Sequence, residues 1–321
     1  MPKGISLHIG VDEVDPAEYR LNPTYAGWEC VIVTEEYYPV SFVGDFRVGW
    51  RGPLTSCEKD AEDMLQLAKK QKFKASILKT KKATAKNVVD KIRSAAKQLG
   101  AGDTFFLTYA GHGSQVEDLS GDEWDGSDET WCLYDRMFLD DEQRALYAEF
   151  ARGVKIVVLS DSCHSGSATR SGESDSLEER LHRQRKGRRA MTERTAMAIY
   201  QGNKKRYDVI QQNLANPPPK LKASRILFSA CQDNEHAQGD DENGVFTRAL
   251  KKVWDNGRFK GNYGDLAKQI RDELQANYNK AVDKAGGDAS VVSLQVPNFV
   301  RIKGSSKAAL AKFIKQRPFS L

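Results

Sequence analysis

The chain of 321 residues predicts an α/β domain built on a mostly parallel sheet with helices on both faces. Two observations carry that reading. Short apolar runs rich in β-branched and aromatic residues alternate with helical patterns, and such alternation is the signature of strand–helix–strand units. Two of the runs, Thr104 to Tyr109 and Val154 to Ser160, are apolar throughout, as strands covered on both sides must be. The length is enough to bury a sizeable core.

The elements follow in order. Ile5 to Val11 reads as the first strand. Glu29 to Arg51 is apolar and aromatic but irregular, and reads as a hairpin insertion. Ser56 stands where a helix cap belongs, before Ala61, Met64, Leu65 and Ala68 at helical spacing. Ala75 to Leu78 is a short strand. Thr84 opens a helix through Val88, Ile92, Ala95 and Leu99, stopped by Gly100. After the two buried runs, Ser171 to Lys222 breaks the pattern. It is polar, dense in charge and ends in Pro217-Pro218-Pro219, so it predicts a flexible linker with a short helix near Met191 to Tyr200. Arg225 to Ser229 then reads as a strand, Val245 to Trp254 and Asp265 to Tyr278 as helices, Pro297 to Ile302 as a last strand, and Ser306 to Lys315 as a terminal helix.

Composition narrows the function. No stretch approaches the roughly 18 apolar residues of a membrane span, and no signal-like segment precedes the first strand, which predicts a cytosolic protein. Five cysteines, at 30, 57, 132, 163 and 231, are scattered without a CxxC pair or zinc-like spacing, and read as free thiols. The net charge of +5 is a local feature. Between Ala168 and Lys222 thirteen Lys/Arg stand against six Asp/Glu, so the rest of the chain is slightly acidic. A basic linker without aromatic platforms argues against nucleic-acid binding.

Two loops carry the chemistry, each directly after a buried strand. One is Gly111-His112-Gly113-Ser114; the other is Asp161-Ser162-Cys163-His164-Ser165-Gly166. In open α/β sheets ligands bind beyond the carboxyl ends of the strands, so adjacent parallel strands would set the two loops side by side. A thiol with a pKa of about 8.5 is a weak nucleophile at neutral pH until a neighbouring imidazole takes its proton. The glycines allow tight turns and close approach of a peptide, and turn amides can hold an oxyanion. His112 alone would read as a satisfied loop histidine and Cys163 alone as an inert thiol; together, in matching loops, they read as a catalytic dyad.

Gly111-His112-Gly113 with Asp161-Ser162-Cys163-His164-Ser165-Gly166 resembles the signature of metacaspases and their bacterial relatives, the orthocaspases. The resemblance extends to Cys57-Glu58-Lys59-Asp60-Ala61, the acidic stretch Asp122 to Asp135, Ser229-Ala230-Cys231-Gln232-Asp233 and Val296-Pro297-Asn298-Phe299, nearly the whole chain in order. It implies a caspase-like three-layer α/β/α sandwich. A large portion would cover 1–170 with the insertion at about 29–51, the basic linker 171–222, and a small portion 223–321 would complete the same domain. It implies a cysteine endopeptidase with Cys163 and His112 as dyad, the amides of Gly113 and Cys163 as oxyanion donors, and Asp60 and Asp161 as S1 carboxylates selecting Arg or Lys at P1. Paired carboxylates in a cleft fit an incoming cation. Polypeptides would be the partners, its own linker among them, where Arg183, Arg185, Lys186, Arg188 and Arg189 are candidate cuts for a zymogen. A monomer is expected. Chemistry needs no cofactor, but Asp128, Asp140 and Asp141 stand where the family's calcium ligands would, for an activating Ca2+. Two departures stand out: Arg170 lies near a position where the family often has an acid, and the 29–51 insertion is extra. The competing reading is a catalytically silent caspase-like scaffold or regulator.

Overall fold

A computed structural model describes residues 1–26, 37–42, 45–119, 126–162, 189, 191–214, 219–230, 243–284, 286–287, 298–302 and 307–321. Its strands are β1 (Gly4–Gly10), β2 (Tyr37–Phe42), β3 (Asp45–Trp50), β4 (Lys74–Lys79), β5 (Thr104–Ala110), β6 (Gly113–Glu117), β7 (Ser127–Cys132), β8 (Met137–Leu139), β9 (Lys155–Asp161), β10 (Ser224–Ser229) and β11 (Asn298–Ile302). Its helices are α1 (Pro23–Ala26), α2 (Cys57–Lys70), α3 (Ala85–Gln98), α4 (Asp140–Ala148), α5 (Glu193–Gly202), α6 (Lys204–Gln212), α7 (Val245–Trp254), α8 (Tyr263–Lys284) and α9 (Lys307–Ile314).

Six strands form the central sheet in the order β11-β10-β9-β5-β1-β4. All neighbours are parallel except β11, which runs antiparallel to β10. The apolar alternation of the strands divides the core in two. Phe105, Leu107, Tyr109, Ile156 and Val158 face one side, against Val88 and Ile92 of α3, Leu146 of α4 and Ile199 of α5. Phe106, Val157, Leu159, Ile226 and Phe228 face the other, against Met64 and Leu67 of α2, Leu250 and Trp254 of α7 and Ile270 of α8. The result is the expected sandwich of helices, sheet and helices.

The register matters for function. Ala110 at the end of β5 pairs with Asp161 at the end of β9. His112 and Cys163 therefore each follow by two residues a pair of matched positions on neighbouring parallel strands. Past that edge, β6, β7 and β8 make a small antiparallel sheet. Trp131 of β7 fastens it to the main sheet, stacking on Tyr109 at 4.5 Å and donating from Nε1 to Ser160 Oγ at 3.0 Å.

Several expectations change in detail. The insertion does contain a hairpin, β2 antiparallel to β3; residues 29–36 lie outside the described residues. Ser56 sits at the N-cap position of α2 but makes no capping bond with its side chain. Asp12, reaching from the end of β1, accepts from the N–H groups of Cys57 at 2.8 Å and Glu58 at 3.3 Å instead. A remote carboxylate thus does the work of a cap and meets the positive helix end. Gly10 allows that approach, since a Cβ there would collide with the Cys57 carbonyl. Thr84 does cap α3, accepting from Asn87 N at 3.3 Å.

The expected linker holds more structure than its charge suggested. Residues 163–188 lie outside the described residues, but two helices occupy 193–212 rather than one short one. Thr192 caps the first by accepting from Thr195 N at 3.2 Å. Ala196, Ala198, Ile199, Tyr200 and Tyr207 are fully buried in the main core. Burying five such side chains outweighs the polar composition, which windowed counting of charges does not register.

Candidate active site

The loop after β5 presents His112. Its carbonyl accepts from Cys132 N at 2.9 Å and from the Tyr109 hydroxyl at 2.7 Å, which holds the backbone in place. The ring is buried, and Trp50 of β3 meets it edge-on at 4.8 Å. Nε2 lies 3.0 Å from the carbonyl oxygen of Gly52. A carbonyl only accepts, so the proton sits on Nε2 and Nδ1 carries the free lone pair. Nδ1 has no hydrogen-bond partner among the described residues. Burial lowers the imidazole pKa to about 4, partly offset by the Gly52 carbonyl and aided by the Arg189 charge. At neutral pH the ring is therefore uncharged, the form that can take up a proton. Cys163 itself lies outside the described residues.

The second group of expected residues is brought together around an unexpected occupant. Asp60 projects from the first turn of α2 and Asp161 ends β9; both are buried. Between them lies the side chain of Arg189, 1 % exposed. Its Nη2 donates to Asp60 Oδ2 and, at 2.9 Å, to Ser56 Oγ. Its Nη1 pairs with Asp161 Oδ2 at 2.9 Å and with the Asp161 carbonyl at 3.2 Å. A guanidinium so held between two carboxylates is among the stronger polar arrangements a protein makes.

The backbone of that segment is bound as well. The Gly113 N–H donates to the Arg189 carbonyl oxygen at 2.9 Å, and Met191 N–H donates to the Gly113 carbonyl at 2.9 Å. Residues 189 and 191 thus run along Gly113 as an extended strand would. Met191 is buried, its sulfur accepting from Ser114 Oγ at 3.4 Å. Of the candidate cuts only Arg189 is described; Arg183, Arg185, Lys186 and Arg188 lie outside.

Residues not singled out in the sequence complete the pocket. Gly244, just before α7, donates its N–H to both oxygens of Asp60, at 3.1 and 3.2 Å. Asn243 Nδ2 bridges Asp60 Oδ1 at 2.8 Å and Asp63 Oδ2 at 2.9 Å. Thr247 Oγ1 donates to Asp161 Oδ2 at 2.9 Å. Burial and the nearby Asp161 charge push the Asp60 carboxyl up to about 6, although Arg189 pulls it down. Ser56 could have been marked only as a cap, and Asn243-Gly244 only as a turn before a helix; neither signal points to a pocket.

The expected calcium ligands do not form such a group. Asp128 is on β7, while Asp140 and Asp141 open α4 and both pair with Arg144 at 3.3 Å. Among the described residues no three His, Cys, Asp or Glu are placed to hold a metal ion. Two of the three carboxylates share the Arg144 guanidinium, and no step is assigned to a calcium ion. Nor is any helix among the described residues long and apolar enough to cross a membrane.

Comparison with known proteins bears on the fold and the family. The family model described as the caspase domain matches residues 29–304. A crystal structure of the protein GSU0716 from Geobacter sulfurreducens is 38 % identical, covering 100 % of this chain and 99 % of that one with a TM-score of 0.73. Metacaspase-1 of Schizosaccharomyces pombe is 38 % identical over 90 residues, 26 % of this chain and 21 % of that protein. Metacaspase-1 of Eremothecium gossypii is 31 % identical over 209 residues, 56 % of this chain and 46 % of that protein. The chain thus matches between a fifth and a half of the length of these curated relatives.

Proposed function

The chain belongs to the caspase-domain family of cysteine peptidases, and on that premise we propose that it cuts peptide bonds after Arg or Lys and cuts its own chain after Arg189. The observation that carries the proposal is the seat of Arg189. Its guanidinium lies between Asp60 and Asp161 while its carbonyl oxygen takes the Gly113 N–H. That is how the P1 residue of a substrate would bind, supplied here by the segment expected to be processed.

On this reading Cys163 is the nucleophile and His112 the base. The Cys163 thiol attacks the Arg189 carbonyl carbon and its proton passes to His112 Nδ1, the lone pair left free by the Gly52 contact. Gly113 N–H, joined by the Cys163 amide, steadies the oxyanion. The carbon–nitrogen bond then breaks, His112 returns its proton to the amine of Ala190, and a thioester joins Cys163 to Arg189. Water, deprotonated by His112, hydrolyses that ester and frees the thiol. Once the segment ending in Arg189 leaves, the same carboxylates can take an Arg or Lys from another polypeptide. In this scheme the uncut chain is a zymogen whose own arginine fills its pocket.

The test uses the purified full-length chain and fluorogenic peptides with Arg, Lys or Asp at P1. Turnover of the first two but not the third is expected. Cys163→Ala is expected to abolish it and to leave the chain intact after Arg189 by mass spectrometry. Cleavage after Arg189 persisting in Cys163→Ala would assign it to a foreign protease. A wild-type chain that stays intact and turns over none of the peptides would leave the silent-scaffold reading in its place.

A further inference from the structure

The wall of the pocket facing the guanidinium fork is bare backbone, contributed by Gly244. Its φ of −58° and ψ of 150° are open to any L residue, so conformation does not require glycine here. Space does. A Cβ at this position would lie 2.7 Å from Arg189 Nη1, 2.7 Å from Nη2 and 2.7 Å from Asp161 Oδ2, closer than real side chains approach. None of these three atoms can withdraw freely. Each terminal nitrogen is tied to a different carboxylate, one to Asp161 and one to Asp60. Nη2 also holds Ser56 Oγ.

We propose that Gly244 determines P1 selectivity by leaving room for the second terminal nitrogen of a guanidinium, so that the pocket takes Arg in preference to Lys. Lysine ends at about the position of the guanidinium carbon, with one nitrogen on a flexible stem. It lacks the two atoms that a methyl group at 244 would strike. It also cannot place one donor on each carboxylate at full hydrogen-bond contact. Trimming the space therefore costs arginine three collisions and lysine one, that with Asp161 Oδ2, so arginine is penalised more. The inference rests on Asp60 and Asp161 forming the P1 pocket, and deepens that reading by ranking the two cations.

A cycle of variants in the full-length Cys163→Ala chain tests it without relying on turnover. Arg189→Lys alone is expected to lower the melting temperature, because one nitrogen replaces two. Gly244→Ala alone is expected to lower it too. In the Gly244→Ala background the sign reverses: Arg189→Lys raises the melting temperature, since two of the three collisions are gone. Additive losses, a Gly244→Ala/Arg189→Lys chain as crippled as Gly244→Ala, or no loss from Arg189→Lys alone would each overturn the proposal. In the active chain, kcat/KM is expected to favour an Arg peptide over its Lys counterpart by at least tenfold. Gly244→Ala is expected to bring that ratio to unity or below, mainly by loss on the Arg side. Equal losses on both peptides would overturn it. If the wild-type chain cuts neither peptide, the peptidase reading fails while the melting cycle still decides what Gly244 does.

Discussion

At the scale of single residues, the buried trio of Arg189, Asp60 and Asp161 sets the energetics. Removing charges from water is costly, and the pairing recovers that cost only while every partner is present. Breaking one partner of a buried pair costs about 3–5 kcal/mol, because a charge is left without its counterpart. Asp161→Asn is therefore expected to lower kcat/KM for Arg peptides by at least a hundredfold, with a smaller effect on kcat than on KM. A fall of less than threefold, measured with Arg at P1, would exclude Asp161 from substrate binding. Asp60 and Asp161 stood out in the sequence through their motifs. Ser56, Asn243, Gly244 and Thr247 did not, since a lone polar residue near a helix start is usually a cap, and the pocket exists only after α2, β9 and α7 meet.

At the scale of elements, α5 decides what happens to the segment behind Arg189. Met191 precedes the Thr192 cap by one residue, so the helix anchors the chain on the far side of the bond proposed to be cut. The anchor is the burial of Ala196, Ala198, Ile199 and Tyr200 under the sheet. Ile199→Ala is expected to cost about 2–5 kcal/mol, the usual range for emptying a sealed site in a core. Urea unfolding reads that loss, and an unchanged midpoint would show that α5 is not part of the cooperative fold. The helix itself is legible in the sequence near Met191 to Tyr200; its partner α6 is not. The charge of Lys204, Lys205 and Arg206 hid it, because Tyr207 and Gln211 are its buried residues, a weak apolar pattern in a highly polar window.

At the scale of the whole molecule, buried titratable groups link stability to pH. Burial lowers His8, held between Ser6 and Thr108, to about 3 and His112 to about 4. The unfolded chain would protonate both near 6.5, so it binds more protons than the folded chain below that pH. Stability is thus lost as pH falls from about 6.5 towards 4 and levels off once the folded-state values are passed. For His112 alone the loss is about 3 kcal/mol, taking about 1.4 kcal/mol per pKa unit. Asp60 runs the other way, because its raised value lets the folded chain take a proton first between pH 6 and 4. Asp12, also raised by burial, acts with Asp60. Asp63, lowered against its burial by its bonds to Lys251 and Asn243, acts with the histidines, which carry the larger shifts. The denaturation midpoint is expected to fall between pH 7.5 and 4.5, and to fall less in His8→Gln. A midpoint that rises on acidification would contradict this balance.

The sequence by itself determined the six strands of the central sheet in chain order, the sandwich class, and the two loops where a histidine and a cysteine stand beyond neighbouring strands. Those are local matters of apolar period, breaker residues and motif spacing, and each can be judged within a window of a few turns. Tertiary structure alone decided that Asp12 rather than Ser56 caps α2, that α5 and α6 are core, and that Arg189 rather than another basic residue fills the pocket between Asp60 and Asp161. Its partners lie 129 and 28 positions away. A contact over such separations depends on where the whole sheet brings its edges together, which no stretch of chain encodes alone.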